Sequence, residues 1–190
     1  MNDAACSAAS VSMVVNAAVC AGRALGNGDR IVTQASLLDR VEIHHWKELA
    51  SPAGHAGLHG LTLAQLGAVT EAALRDFGAE KPAVRSAEAD GTEEGLARFR
   101  AALAENEHGA HDAMLLHFVQ DEVTAAPGGP FAHISPVGAY DAGRRRVLVL
   151  DVDREWYEPY WVADDVLFRA MSRRTLAFGA GGFLWVGFGQ

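Results

Sequence analysis

Cysteine is scarce in this sequence: 190 residues contain two, Cys6 and Cys20. Two thiols cannot build a disulfide framework or a four-ligand structural zinc site. A bridge between them would close a short loop inside what reads as one helix, so both are expected as free thiols in a reducing compartment. Positive charge is also short, with 16 Lys and Arg against 24 Asp and Glu and a formal charge of −8. Binding to phosphate needs clustered cations, and the Arg144-Arg145-Arg146 run is too brief to provide them, which argues against nucleic acid and an anionic membrane surface as partners. Long apolar runs are missing as well. The most apolar stretch, Leu176 to Phe188, is interrupted by glycines and shorter than the ~20 residues that cross a bilayer. Met1 to Ala9 lacks the basic end and apolar run of a secretory leader. The chain is therefore expected to be soluble and cytoplasmic.

What is present is ordinary globular material, 49% hydrophobic and 21% charged, and 190 residues suffice for one domain spanning 1–190. Residues 7–25 read as a buried helix, with Val11, Val14, Val15, Ala18 and Val19 at helical spacing and Gly26-Asn27-Gly28 as the stop. Two short helices are expected within 34–50, then a Pro/Gly/His loop over 51–60. An amphipathic helix follows from Thr62, a capping residue, to Phe77, with Gly78 as its stop. Thr92 caps another helix, to Asn106, whose buried stripe is Leu96, Phe99 and Leu103. Strand patterns occupy 84–86, 113–120, 133–140, 147–152 and 184–188, with a helix at 163–172 before the last. Helices first and strands second predict an α+β fold, a helical half packed on an antiparallel sheet.

The stretch HISPVGAYDAGRRRVLVLDV, residues 133–152, reads as a hairpin. Gly143 at the third position of a three-residue loop supplies the positive φ such loops want. Tyr140 then pairs with Arg144, paired residue numbers sum to 284, and His133 faces Asp151 directly. Opposed residues have Cβ atoms about 4.5–5.5 Å apart, within reach of an imidazole–carboxylate hydrogen bond; a two-residue loop would put the two on opposite faces. Alone, a surface histidine and an Asp that ends a strand are the commoner meaning of such a pattern. Cys6 shifts the balance. It stands at the start of a long helix, where the dipole and unpaired N–H groups stabilise a thiolate. Papain-like enzymes place a nucleophile there, with its histidine roughly 130–150 residues downstream, and His133 follows Cys6 by 127 positions. Cys20, mid-helix on the apolar face, reads as an inert buried thiol.

ACSAASVSMVVNAA resembles the nucleophile segment of the phytochelatin synthase family, in which a cysteine opens a helix of the form CGxASxxxVLNAL. FAHISPVGAYDAGRRRVLVLDVDREWYEPYWV is similar to that family's GHFSPxGGY…LxLDVxRxxYPPxWV. GLTLAQLGAVTEAALRDFG and the segment around Phe99-Arg100 match further, less specific parts in the same order. The resemblance implies a papain-like fold with Cys6 as nucleophile, His133 as proton shuttle and Asp151 as the residue that orients the imidazole. It implies an acyl donor such as glutathione or a similar γ-glutamyl-cysteinyl thiol peptide, with a metal–thiolate form of that peptide admissible as substrate and no bound cofactor. Arg154 matches an arginine suited to the donor's carboxylate; a solvated strand-end charge is its other reading. Tyr157, Pro159 and Trp161 match YPPxW, as packing at the pocket wall, Tyr157 as a substrate-binding residue. A homodimer is left open.

Two departures stand against that pattern. Six residues before its cysteine the family has a glutamine that helps form the oxyanion hole, a position before the start of this sequence. Asn2 fits an Asn two residues after that glutamine, so the numbering is expected to begin inside the domain; loss of one oxyanion donor typically costs on the order of 10²–10³ in rate. Ser7 replaces the glycine that usually follows the cysteine. A Gly-rich phosphate loop and a Cys-rich tail are absent. Among other histidines, His55 and His59 are four apart, but Pro52, Gly54, Gly57 and Gly60 argue against the helix that would align them on a metal, so no metal site is expected there; His108, His111 and His117 receive no role. Two rival functions remain: an amide synthase or amidase with the same triad and another acyl donor, and a degenerate domain that binds a thiol or peptide without turnover.

Overall fold

The computed structural model describes residues 5–28, 31–176 and 178–189. Seven helices and six strands follow along the described chain: α1 (Cys6–Cys20), α2 (Gln34–Arg40), α3 (Trp46–Leu49), α4 (Leu63–Asp76), β1 (Ala83–Glu88), α5 (Glu93–His108), β2 (Asp112–Val119), α6 (Asp121–Thr124), β3 (Ala132–Asp141), β4 (Arg146–Val149), β5 (Tyr160–Ala163), α7 (Asp164–Ser172) and β6 (Gly182–Gly187). The strands form one sheet in the order β1-β6-β2-β3-β4-β5, with every neighbouring pair antiparallel. This is the α+β class. No helix among the described residues is long and apolar enough to cross a membrane.

Side-chain alternation along the strands gives the sheet two apolar faces. On one face, Leu115 of β2, Ile134 of β3, and Leu184 and Val186 of β6 meet α1 to α4 in a single core. On the other, Met114, Leu116 and Phe118 of β2 pack with Val147, Val149, and the apolar sides of α5 and α7. The helical half thus covers one face, and α5 and α7 close the second. The helix α1 is apolar almost all round because it is enclosed almost all round, from Val11 and Val15 to Ser7 and Ser10. It ends at Cys20, five residues earlier than the sequence pattern predicts. Gly22 adopts φ +68°, and the N–H groups of Gly22 and Arg23 donate back to Val19 and Ala18, a left-handed stop that precedes the Gly26–Gly28 signal. The early stop also leaves Cys20 exposed at the helix end, whereas Cys6 is buried; the inert buried thiol expected at position 20 is corrected accordingly. Both thiols are free.

The N-terminal caps are local and readable. Thr62 accepts from Gln65 N–H while Gln65 returns a bond to Thr62, a capping box that starts α4, and Thr92 caps α5. The 133–152 hairpin is where the register differs. Asp141 pairs with Arg146, Tyr140 with Val147 and Ala139 with Leu148, so paired numbers sum to 287 rather than 284 and the loop holds four residues, 142–145. A one-residue bulge at Gly138 then resets the ladder to Val137 with Val149, continued by Leu150 N–H donating to the Pro136 carbonyl at 3.0 Å. The helix α6 and the strand β5 were not anticipated. Trp161 belongs to β5, opposite Leu148, and is exposed on the sheet edge rather than set in a pocket wall.

Candidate active site

Cys6 is the first residue of α1, whose N-terminus carries no side-chain cap. The sulfur therefore stands at the positive end of the α1 dipole, which favours an anion there. Four residues on, one helical turn away on the same side of α1, Ser10 donates its hydroxyl to the Ile134 carbonyl at 2.8 Å. That bond fixes α1 to β3 next to His133. The imidazole of His133 is 5% exposed and lies near enough to Cys6 for the sulfur to favour its charged form. Its Nε2 donates to Asp151 Oδ1 at 2.9 Å, so Nδ1 is the nitrogen left for the sulfur. Cys6, His133 and Asp151, three residues singled out in the sequence, meet in one line.

The route to that meeting is not the one the sequence predicts. With the sum at 287, His133 and Asp151 would lie on opposite faces of the hairpin. The bulge at Gly138 lowers the sum to 286, which places Ser135 across from Asp151 and His133 on the diagonal, on the same face. Ser135 Oγ indeed lies 2.9 Å from His133 Nε2. Asp151 accepts three more bonds: Asp153 N–H at 2.9 Å to Oδ1, and Gln120 Nε2 at 3.1 Å and the Tyr160 hydroxyl at 3.0 Å to Oδ2. Ser135 was legible as the residue two positions from His133 on the same strand face. Gln120, at the end of β2, and Tyr160, in an unanticipated strand, carried no sequence signal.

Electrostatics follow from this packing. Burial opposes a charged Asp151, but the bonds from His133, Asp153 and Gln120 outweigh it and bring the carboxyl down to about 2. Burial likewise opposes a charged His133, yet the Asp151 carboxylate on one side and Cys6 on the other push the imidazole up to about 9. Burial and the Asp151 carboxylate raise the Tyr160 phenol above its ordinary range, so it stays a donor. At neutral pH the site holds an imidazolium between a carboxylate and the sulfur of Cys6, the partner arrangement a thiolate nucleophile uses.

Cys6 and His133 open on a cleft of about 830 Å³ walled by Pro52, His59, Leu61, Phe131, Trp156 and Tyr157. That size suits a small-molecule ligand. Tyr157 donates its hydroxyl to Thr124 Oγ1 at 3.3 Å and presents its ring to the cleft. Arg154 is exposed and is not part of the cleft wall. Neither Arg nor Lys lines the cleft among the described residues, and Asp153 does. His117, given no role from sequence, lines it too. It is 1% exposed, donates Nε2–H to the Leu61 carbonyl at 2.9 Å and leaves Nδ1 without a hydrogen-bond partner among the described residues. Burial pushes it down to about 4, so it is a neutral imidazole. Ser7, the departure from glycine, accepts a 2.9 Å bond from the Trp46 indole N–H and is buried: it supports packing of α1 on α3. Asn2 lies outside the described residues.

Two stretches of known proteins resemble parts of this chain. Glutathione gamma-glutamylcysteinyltransferase 3 of Lotus japonicus is 47% identical over 47 residues, 25% of this chain and 10% of that protein. Glutathione gamma-glutamylcysteinyltransferase 1 of Arabidopsis thaliana is 48% identical over 40 residues, 21% of this chain and 8% of that protein. The matches thus span a tenth or less of these relatives' length. The family model described as phytochelatin synthase matches residues 1–177, nearly the whole chain and every residue of the cleft named above. The chain belongs to the phytochelatin synthase family.

Proposed function

We propose that this chain is a cysteine-dependent acyltransferase or hydrolase acting on glutathione or a related γ-glutamyl-cysteinyl thiol peptide. The observation that carries the reading is the line Cys6–His133–Asp151 at the inner end of a small-molecule cleft. Family membership and the names of the two relatives support the substrate class. In the forward half-reaction the Cys6 sulfur attacks the carbonyl carbon of the Cys–Gly amide. Negative charge gathers on the carbonyl oxygen near the N-terminal, positive end of α1. His133 passes its Nδ1 proton to the leaving amine, glycine departs, and a γ-glutamyl-cysteinyl thioester remains on Cys6. In the second half, neutral His133 takes a proton from water or from the amino group of a second thiol peptide as it attacks the thioester, which restores Cys6. Asp151 holds the ring with its Nε2–H turned away from the sulfur throughout. The papain-like character of the arrangement is part of this proposal, and the reaction needs no bound metal or cofactor.

One observation favours a second reading. Glutathione carries two carboxylates, yet the described cleft wall offers neither Arg nor Lys and includes Asp153, while Arg154 points to solvent. A less anionic acyl donor would suit that wall better, which is the amidase or amide-synthase alternative. Intact-mass spectrometry after incubation with glutathione decides between them. A γ-glutamyl-cysteinyl adduct with free glycine, absent from Cys6→Ala, is the expected result. An unmodified Cys6 and no glycine, from protein whose Cys6 still reacts with iodoacetamide, would reject glutathione as donor and leave the second reading.

A further inference from the structure

The loop over 51–60 forms one side of the cleft through Pro52, His59 and Gly60, and it turns another histidine elsewhere. His55 and His59 do not align, because the loop folds back on itself with reciprocal backbone bonds between His55 and Leu58. The ring of His55 instead stacks on that of His45, with centroids 3.8 Å apart and planes 12° apart. His45 stands immediately before α3 in a left-handed conformation, φ +53°, which histidine tolerates better than most residues. This turn brings its Nδ1 to 2.9 Å from Glu48 Oε2, and His55 Nδ1 lies 3.5 Å from the same oxygen. One donor atom from each of the three residues falls within 4.8 Å of the others.

We propose that His45, Glu48 and His55 form a surface zinc site that clips α3 to the loop walling the cleft. The donor set chooses the ion: two imidazole nitrogens with one carboxylate suit a borderline cation such as Zn²⁺ rather than the oxygen-seeking Mg²⁺ or Ca²⁺. The spacing suits it too. With metal–ligand bonds of about 2.0–2.2 Å, tetrahedral neighbours lie about 3.4 Å apart, close to the two nitrogen–oxygen separations seen here. The side chains are 61%, 56% and 42% exposed, so either ring can rotate to bring both Nδ1 lone pairs onto one point, and water can take the fourth position. The formal charge of −8 favours a cation at this surface. Zinc here is structural: it lies outside the Cys6 line, and its role is to hold the cleft wall.

The test is a Co²⁺ titration of full-length chain carrying Cys6→Ala and Cys20→Ser, so that thiolate ligands are removed. We expect one equivalent of Co²⁺ with visible d–d absorption, displaced by Zn²⁺, and an affinity reduced about tenfold or more by each of His45→Asn, Glu48→Gln and His55→Gln. All three are surface changes, and melting in EDTA confirms that each variant is folded before titration. Failure to bind one equivalent would overturn the proposal. Binding that all three substitutions leave unchanged would do the same, by placing the ion at other histidines. As an independent readout, Zn²⁺ should slow proteolytic cleavage between residues 50 and 60, and unaltered cleavage would also sink it.

Discussion

Asp151 accepts four hydrogen bonds from four parts of the chain, and each donor limits where its carboxylate can sit. Asn at this position keeps the shape and reverses the chemistry. An amide N–H turned toward His133 would make Nε2 an acceptor and move the ring proton to Nδ1, facing the sulfur, where it cannot serve as base. Asp151→Asn should therefore lower kcat/KM on the order of 10²–10⁴. It should also bring the His133 ring well below about 9, read by imidazole proton NMR against pH. An unmoved titration would remove Asp151 from the site. Ser7 makes the opposite prediction. Its hydroxyl serves the buried Trp46 indole, not the cleft. Ser7→Ala leaves that N–H unpaired, which costs about 1–3 kcal/mol in urea unfolding and should leave turnover of the folded protein within about twofold. A large loss of turnover at unchanged stability would show that the departure from glycine reaches the chemistry.

Among the elements, the β3–β4 hairpin decides whether the site exists, because a single-residue slip turns His133 and Asp151 away from each other. Gly138 is where the chain absorbs the extra residue, and although it is exposed, a Cβ there would meet the side chains beside it, Leu150 Cδ2 at 2.7 Å and Leu148 Cδ2 at 3.1 Å. Gly138→Ala should push Leu150 outward and drag Asp151, its neighbour, off His133. We expect a loss of about 1–3 kcal/mol in stability with a tenfold or greater fall in kcat, both recovered in part by Leu150→Ala, which reopens the space. A fall that Leu150→Ala does not recover would mean that the bulge acts through some other contact. The same hairpin shows what the sequence can and cannot convey. Its strands and the two residues that finally touch were legible, because alternation is local, whereas the turn was not: the positive φ, +53°, falls on Arg145 and not on Gly143. The four-residue loop and the bulge were not, since they depend on how Leu150 packs against Gly138 across the ladder. The prediction of a His133–Asp151 pair succeeded because the true register differs from the assumed one by an even number. Helix caps at Thr62 and Thr92 were readable for the local reason, while the stop at Gly22 competed with a stronger-looking glycine cluster downstream.

For the whole molecule, the site is the seam between the helical half and the sheet, and pH should report on that seam. Long-range partners such as Gln120, Tyr160 and the Leu61 carbonyl were invisible in the sequence because nothing local announces which loop will close over a strand end. Gln120 nonetheless helps to keep the Asp151 carboxyl low, and the Leu61 carbonyl opposes in part the fall of His117. Asp151 falls from its ordinary 3.8 to about 2, so its contribution to folding is complete above pH 3.8 and is lost as pH falls through about 2. His133 rises from 6.5 to about 9, so its contribution is complete below pH 6.5 and is lost as pH rises through about 9. His117 moves the other way, from 6.5 to about 4. The unfolded chain takes up that proton first, and stability is lost as pH falls from 6.5 to 4. Asp90, Asp141 and Asp164 are shifted below 3.8, outside this window. Between pH 6.5 and 4 the shifted group that changes is therefore His117, worth about 3 kcal/mol across the interval. Urea midpoints measured at half-unit steps should decline steadily toward pH 4 in the unsubstituted protein. In His117→Gln, whose amide can still donate to the Leu61 carbonyl, the decline should flatten. An equally steep decline in that variant would assign the acid sensitivity to another part of the fold and remove the reason to treat His117 as a neutral ring held beside the cleft.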